Sequence, residues 1–376
     1  MKKLIFICIS VLLLLTSCAP KLKDNEVVQD EKEKQEPSIV PSYQLSKDNY
    51  RMILPYEPSA ARGVIVSQVQ NRLDIDEMEE GLRRHSKEYF DTEEYYFREG
   101  QFLTSDIVLD IIDELNPKKQ ADSDKKNTKE KVKYNRENPR YLSHILEQNF
   151  LLKKDDEKTV ETAGISIGIA LKSVYAFQTE IGGPYYYEKI PQKEMLQQGY
   201  KIAQNVLKRL RAMDGLTDIP IMIALYREEE QGSPVPGNFL AKTYVEGGQD
   251  KVADWEKIKE ENILFPSSQA SKKYVEDAEI VQGFANKIAE YFPNYVGLIG
   301  KGFYINGEMK RLTIDVPIEF YGKGEVLGFT QYAYGVVKDV FPDRYDLEIN
   351  IKSSDRLESM IYRNAGEKEP VTHIMH

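Results

Sequence analysis

Ile165-Ser166-Ile167-Gly168-Ile169-Ala170-Leu171 alternates large aliphatic with small residues at period two, the pattern of a β-strand that turns its bulky face to a core. Working outward, the spacing predicts a short helix over 141–150 before this strand. A Gly182-Gly183-Pro184 turn follows it, then a helix over about 192–213 with Leu196, Tyr200, Ala203, Leu207 and Leu210 inward, and strands over 219–226 and 239–245. The second half reads alike. A helix over about 275–292 precedes a strand over 296–305, an Asn306-Gly307 hairpin turn and a strand over 311–320. A helix with Phe329, Tyr332, Val336, Val337 and Val340 inward leads to strands over 347–352 and 359–363. The matched order predicts an α+β protein of two tandem structural repeats, each with helices packed on a small, mostly antiparallel sheet. Repeat 1 is read as 139–260 and repeat 2 as 261–376, with 255–271 as the connector. An N-terminal helical region over 48–138 precedes them. In it, Asp74 or Asp76 caps a helix through Met78, Leu82, His85 and Tyr89. Thr104 and Ser105 open a second helix that stops at Pro117, and a solvated basic loop runs from 117 to 140.

The amino terminus is a different kind of sequence. Lys2 and Lys3 precede an apolar run over 4–15, which has the length of a secretory h-region and falls short of the roughly 20 residues of a bilayer span. It closes on Leu15-Thr16-Ser17-Cys18, the pattern of a bacterial lipobox. The expectation is a signal peptide over 1–17, cleaved between Ser17 and Cys18 by lipoprotein-processing enzymes, with a diacylglycerol on the Cys18 thiol. Two acyl chains anchor stably where one binds reversibly, so the expected place is the extracellular face of the cell membrane. Residues 18–47, rich in Lys, Glu, Asp, Gln, Ser and Pro, read as the lipidated cysteine and a flexible tether with a reach of about 30 Å.

Composition narrows the function. A net charge of −10 argues against a nucleic-acid partner, which requires a basic face. Cys8 lies in the leader and Cys18 is the lipidation site, so the folded part has no disulfide, thiol nucleophile or cysteine-ligated zinc. No Gly-x-Ser-x-Gly occurs, and Gly297, Gly300 and Gly302 lack the spacing of a phosphate loop. Four histidines offer no metal set. His85 is read as a structural residue on its helix stripe, His144 stands one helical turn from Glu147, and His373 and His376 lie in a frayed tail. No catalytic residue, metal or cofactor is therefore assigned. The candidate binding residues are Tyr185, Tyr186, Tyr187 and Tyr321, aromatic side chains at turns, suited to sugars or peptides; the alternative is that they cover the sheet. A non-enzymatic module with a cell-wall or peptide ligand is the reading preferred. The rival is a cell-wall hydrolase or modifying enzyme using two carboxylates, which cannot be picked out among 61 acidic residues. A solute-capturing partner of a transporter is disfavoured, because two alternating β/α lobes are lacking.

A set of short blocks adds a resemblance. They are Asp48-Asn49-Tyr50-Arg51 with Leu54-Pro55, Ala61-Arg62-Gly63, Glu99-Gly100-Gln101-Phe102-Leu103, Tyr141-Leu142-Ser143 and Ile145-Leu146-Glu147-Gln148-Asn149-Phe150. Leu264-Phe265-Pro266-Ser267-Ser268, Asp315-Val316-Pro317-Ile318, Gly328 with Thr330-Gln331-Tyr332, and Glu369-Pro370 with His373-Ile374 continue them. In this order they resemble the CamS family, lipoproteins of low-GC Gram-positive bacteria described as sex pheromone precursors. The resemblance covers nearly the whole exported chain. It implies two tandem structural repeats and a short apolar peptide cut from the end of the signal sequence, here about Val11 to Ser17. It assigns no task to the folded portion.

Overall fold

The computed structural model describes residues 26–30, 38–40, 44–118, 127–154, 159–292, 294–354 and 356–376. The leader, Cys18 and residues 119–126 of the basic stretch lie outside the described residues. The chain divides into two compact units: a smaller one of residues 1–57, 90–98 and 150–163, and a larger one of 58–89, 99–149 and 164–376.

Three short strands open the chain, β1 (Glu26–Asp30), β2 (Ser38–Val40) and β3 (Arg51–Met52). The first two lie within the stretch read as a tether, where Val27-Val28 and Ile39-Val40 supply β-branched pairs that an overall polar composition averages away. Next come helices α1 (Val64–Gln68) and α2 (Arg72–Ser86), strand β4 (Tyr96–Glu99), and helices α3 (Ser105–Leu115) and α4 (Thr128–Glu137). Strands β5 (Leu142–Lys153), β6 (Thr159–Leu171), β7 (Val174–Phe177) and β8 (Tyr186–Lys189) lead to α5 (Gln192–Arg211). In the smaller unit β1 pairs antiparallel with β2 and parallel with β6, and β3 pairs parallel with β4. Its core is aromatic: Phe150 stacks on Phe90 at 4.6 Å with Tyr50 at 5.1 Å, and Tyr50 Oη donates to the Phe90 carbonyl.

The larger unit continues with β9 (Ile221–Arg227), β10 (Asn238–Val245), β11 (Glu256–Lys257), β12 (Glu260–Phe265), α6 (Ser268–Lys273) and α7 (Val275–Tyr291). It ends with β13 (Ile299–Ile305), β14 (Glu308–Pro317), α8 (Lys323–Val340), β15 (Asp346–Ser353), β16 (Arg356–Arg363) and β17 (Val371–Ile374). It holds two mixed sheets. The first has the order β11-β10-β9-β6-β5, with β6 and β9 parallel across the α5 crossover. The second has the order β12-β13-β14-β15-β16-β17, with β14 and β15 parallel across α8. Each sheet thus has at least two strands before a crossover helix and at least two after it, with a parallel central pair; in the first, the separate β7–β8 pair intervenes before α5.

The opening stretch explains the first sheet. Ile165, Ile167, Ile169 and Leu171 bury their side chains in one core with Met195, Val206 and Leu210 of α5 and Val108 and Ile111 of α3. The intervening Ser166, Gly168 and Ala170 are buried too, because α2 lies on that face. A Cβ on Gly168 would stand 3.0 Å from Met78 Cε, and Ser166 Oγ is 2.7 Å from Ser86 Oγ. Small residues are what allow the helix this close. The second sheet buries one face against α7 and α8, through Phe284, Ile288, Phe329, Val337, Ile314 and Ile349.

Several expectations change. Residues 141–150 are not a helix but the start of β5. That strand is buried on both faces, between Asn116 of the turn after α3 and the Glu79 carbonyl of α2, so it shows no alternation. The basic loop contains α4, closed by an Asn127–Glu130 capping box. Asn71, not Asp74 or Asp76, caps α2 by accepting from the Leu73 amide. The connector over 255–271 holds β11, β12 and the start of α6. His373 sits in β17 opposite Met360 rather than in a frayed tail. The Asn306-Gly307 turn is as expected, with φ of 54° and 85°. Thr104 caps α3 as read, accepting from the Ile107 amide.

Glu147 of β5 fixes the loop that enters α3. Its buried carboxylate accepts from the amides of Gln101 at 3.1 Å, Phe102 at 3.1 Å and Leu103 at 2.7 Å, and from Asn149 Nδ2 at 2.6 Å. Burial pushes its pKa up, and these donors pull it back. Glu147→Ala strands several buried donors and is expected to cost about 3–5 kcal/mol in urea unfolding, whereas Glu147→Gln, which keeps one acceptor oxygen, costs less. Equal losses in the two variants would contradict this role.

Candidate functional site

α7 carries two stripes. Asp277, Val281, Phe284 and Ile288 point into the core. Beside them, Ala278, Gln282, Ala285 and Ala289 recur at the same helical spacing with small or neutral side chains, so this flank of the helix stays low. The facing wall comes from the segments just before and just after this helix in the chain. β12 ends its pairing at Phe265 opposite Gly300, and Pro266, without an N–H, turns the chain into α6, where Ser267 caps by accepting from Ala270. Residues 295–298 approach β13 on the same side. Between these segments lies a groove of about 680 Å³, within the range of small-ligand sites.

The groove is mainly apolar, with Phe265, Val275, Val281, Val296 and Leu298 in its lining and Val296 82 % exposed. Its polar rim is Ser271, Glu279, Gln282 and Asn286, with Gln282 Nε2 donating to Asn286 Oδ1 at 2.9 Å. The Tyr295 hydroxyl is buried in the wall and has no hydrogen-bond partner among the described residues; burial raises its pKa. Among the described residues Glu279 is the only carboxylate in the lining, and no lysine, arginine or histidine joins it.

The tyrosines of the sequence reading lie elsewhere. Tyr186 stacks on Phe177 at 5.6 Å and covers the β7–β8 pair. Tyr185 and Tyr187 flank it, 61 % and 62 % exposed with rings 6.4 Å apart, and Tyr321 is 93 % exposed in the turn before α8. Tyr186 and Tyr187 lie in β8 with Tyr185 just before it, and Tyr321 stands before α8, so the four are not one site. No line of reasoning from the sequence found the groove, because each contributing segment reads as ordinary core when taken alone.

His85, His144 and the buried carboxylate Asp74 are engaged in contacts between packed elements. His85 Nε2 stands 3.1 Å from Glu260 Oε1 and its ring meets the edge of Phe239. His144 is buried in β5 and held neutral, its pKa lowered by burial to about 3. Three residues apart on a strand, it and Glu147 face opposite ways, so their expected one-turn proximity vanishes. Asp74 accepts from Tyr226 Oη at 2.8 Å and from the amides of Glu229 and Gly237 at 3.0 and 2.6 Å, which pins the turn after β9; burial raises its pKa to about 6. Among the described residues no group of three His, Cys, Asp or Glu is placed to hold a metal.

Fold and groove together define a mixed α+β protein with a concavity suited to binding. The model of the CamS sex pheromone cAM373 precursor family matches residues 56–369, and the chain belongs to that family. A crystal structure of the sex pheromone precursor from Lactobacillus salivarius is similar at a TM-score of 0.81 and 26% identity, over 90% of this chain and 99% of that one. The C-terminal domain of the sex pheromone staph-cAM373 precursor from Staphylococcus aureus is similar at a TM-score of 0.66 and 31% identity, over 82% of this chain and 99% of that one. No curated protein matches the chain.

Glu228 gives the fold a pH dependence. Burial lifts its pKa to about 7, against a hydrogen bond from Ser143 and the charge of Lys172. A carboxyl with a raised folded pKa takes its proton more readily in the folded state, so stability declines as pH rises from about 4.5 through 7. Asp74 acts in the same direction. Glu228→Gln is expected to raise stability at pH 8 by roughly 2–3 kcal/mol and to change it little at pH 4.5, measured by urea unfolding at both pH values. A variant whose stability follows pH as steeply as the native chain contradicts the assignment.

Proposed function

We propose that this CamS-family chain is a lipid-anchored surface protein held to the extracellular face of the membrane by a diacylglycerol on Cys18. In this reading the end of its leader is released as a peptide signal, and its folded part is a non-enzymatic module that binds an apolar ligand in the α7 groove. The two mixed sheets of the larger unit are, on the same reading, copies of one plan. The observation that carries the binding role is the lining itself, apolar walls with one rim carboxylate. A hydrolase of the two-carboxylate kind needs its pair about 5–10 Å apart across the bond to be cut, and among the described residues of that lining Glu279 has no second carboxylate beside it. The anchoring role is supported by Leu15-Thr16-Ser17-Cys18 and by membership of a pheromone-precursor family.

The test is intact-mass analysis of the membrane fraction together with the peptides in the culture medium. A mature N-terminus at diacylated Cys18 and a peptide ending at Ser17 are expected, and Cys18→Ala should release the protein into the medium. An unmodified N-terminus at another residue removes both the anchor and the peptide.

A further inference from the structure

The groove and the leader are chemically complementary. Val11-Leu12-Leu13-Leu14-Leu15-Thr16-Ser17 has no charged side chain, so a heptapeptide freed at both ends carries one ammonium at Val11 and one carboxylate at Ser17, with five aliphatic residues between. Among the described residues the groove has apolar walls, one carboxylate and no cation. An anionic wall polymer would find no counter-charge there; a peptide ammonium finds Glu279, which is exposed and makes no ion pair among the described residues. Dimensions agree. From Glu279 to Ala289 the α7 flank is about 15 Å long at 1.5 Å per residue, and the five extended residues Val11 to Leu15 span about 16 Å, leaving Thr16 and Ser17 beyond its end. An extended peptide also brings backbone N–H and C=O groups along its length, and the buried Tyr295 hydroxyl lacks such a partner. Side chains of an extended strand alternate, so Val11, Leu13 and Leu15 enter the apolar walls together while Leu12, Leu14 and Thr16 face outward.

We propose that the α7 groove binds the chain's own leader heptapeptide, Val11 to Ser17, in extended form with its terminal ammonium on Glu279. This deepens the binding role above and rests on the reading that the leader is cut before Cys18. The ligand is thereby the chain's own product, captured on the surface where it is made.

The test titrates the exported chain, residues 18–376 with Cys18→Ser, with synthetic heptapeptide by calorimetry. Saturable binding at one site is expected. N-acetylating the peptide should weaken binding at least fivefold to the native groove and not at all to Glu279→Gln, because the same contact is already gone. Ala285→Trp, which fills the groove, should weaken binding at least tenfold, with circular dichroism confirming that the variant is folded. Absent saturation, unchanged affinity in Ala285→Trp, or an acetylation effect of equal size in both proteins overturns the proposal. So does a dimer of the exported chain in sedimentation that Ala285→Trp dissociates, since a second copy would then cover the groove. The peptide is synthetic, so a failure of leader processing appears in the culture medium and leaves this result independent.

Discussion

Arg84 joins the two sheets of the larger unit. It projects from α2, the helix seated on the small-residue face of the first sheet, and its Nη2 donates to Glu77 Oε1 at 2.8 Å and to Glu260 Oε2 at 3.1 Å. Glu260 is the first residue of β12, the edge strand of the second sheet, and the guanidinium lies 4.5 Å from the ring centre of Phe303 on β13. Buried charges are costly unless closed by partners, and removing one member leaves the others uncompensated. Burial raises both carboxyls. For Glu77 it prevails; for Glu260 the contacts from His85 and Arg84 outweigh it and hold the carboxyl below its ordinary range. The position of β12 is thus set by charge at one end. Asn262, in the middle of the strand, donates to the Gly237 carbonyl, tying the same strand to the loop that Asp74 pins. At its other end Phe265 and Pro266 form a wall of the groove. The concavity depends on an ion cluster five residues up the strand from it.

Where one face of an element is wet, the sequence is legible. β14 alternates buried and exposed residues along most of its length, α5 and α8 carry continuous apolar stripes, and Asn306-Gly307 announces its turn; these elements fall close to where their periodicity puts them. Where both faces are buried the signal fades. β5 lies between helices, and its Ser143, His144, Glu147, Gln148 and Asn149 are all buried, so neither period two nor a clean helical stripe is left to read. The α2 cap was displaced for a related reason. Asp74 looks like a cap because caps are acidic or polar residues before an apolar run, but it is spent on a tertiary contact one turn inside the helix. β12 was hidden because Glu260-Glu261-Asn262 reads as solvated until Arg84 and Gly237 are brought beside it.

The candidate site was less legible than the fold. Tyr185 and Tyr187 are exposed as aromatic residues at turns suggest, yet they lie outside the groove, whose walls come from three successive segments between residues 265 and 298. A helix flank of alanines carries no mark of binding in sequence, since the same residues serve equally to admit a neighbouring helix. What distinguishes α7 is that no neighbour among the described residues fills the flank, a fact of tertiary placement.

Perturbed titration does not mark the site in this protein. Strongly shifted pKa values often signal catalysis. Here His144, Asp74, Glu147 and Glu228 are all buried between packed elements, and for each of them desolvation is the leading cause of the shift. Such shifts record how much polar chemistry is enclosed in joining helices to sheets. The groove shows the opposite arrangement, with apolar walls and a single exposed carboxylate. A site that must move a proton needs its acid and base desolvated and close together, whereas one that holds an apolar chain by its charged end needs dry walls and one counter-charge at the rim. The α7 groove has the second set of features, and it is on this contrast, more than on fold, that a binding role rests.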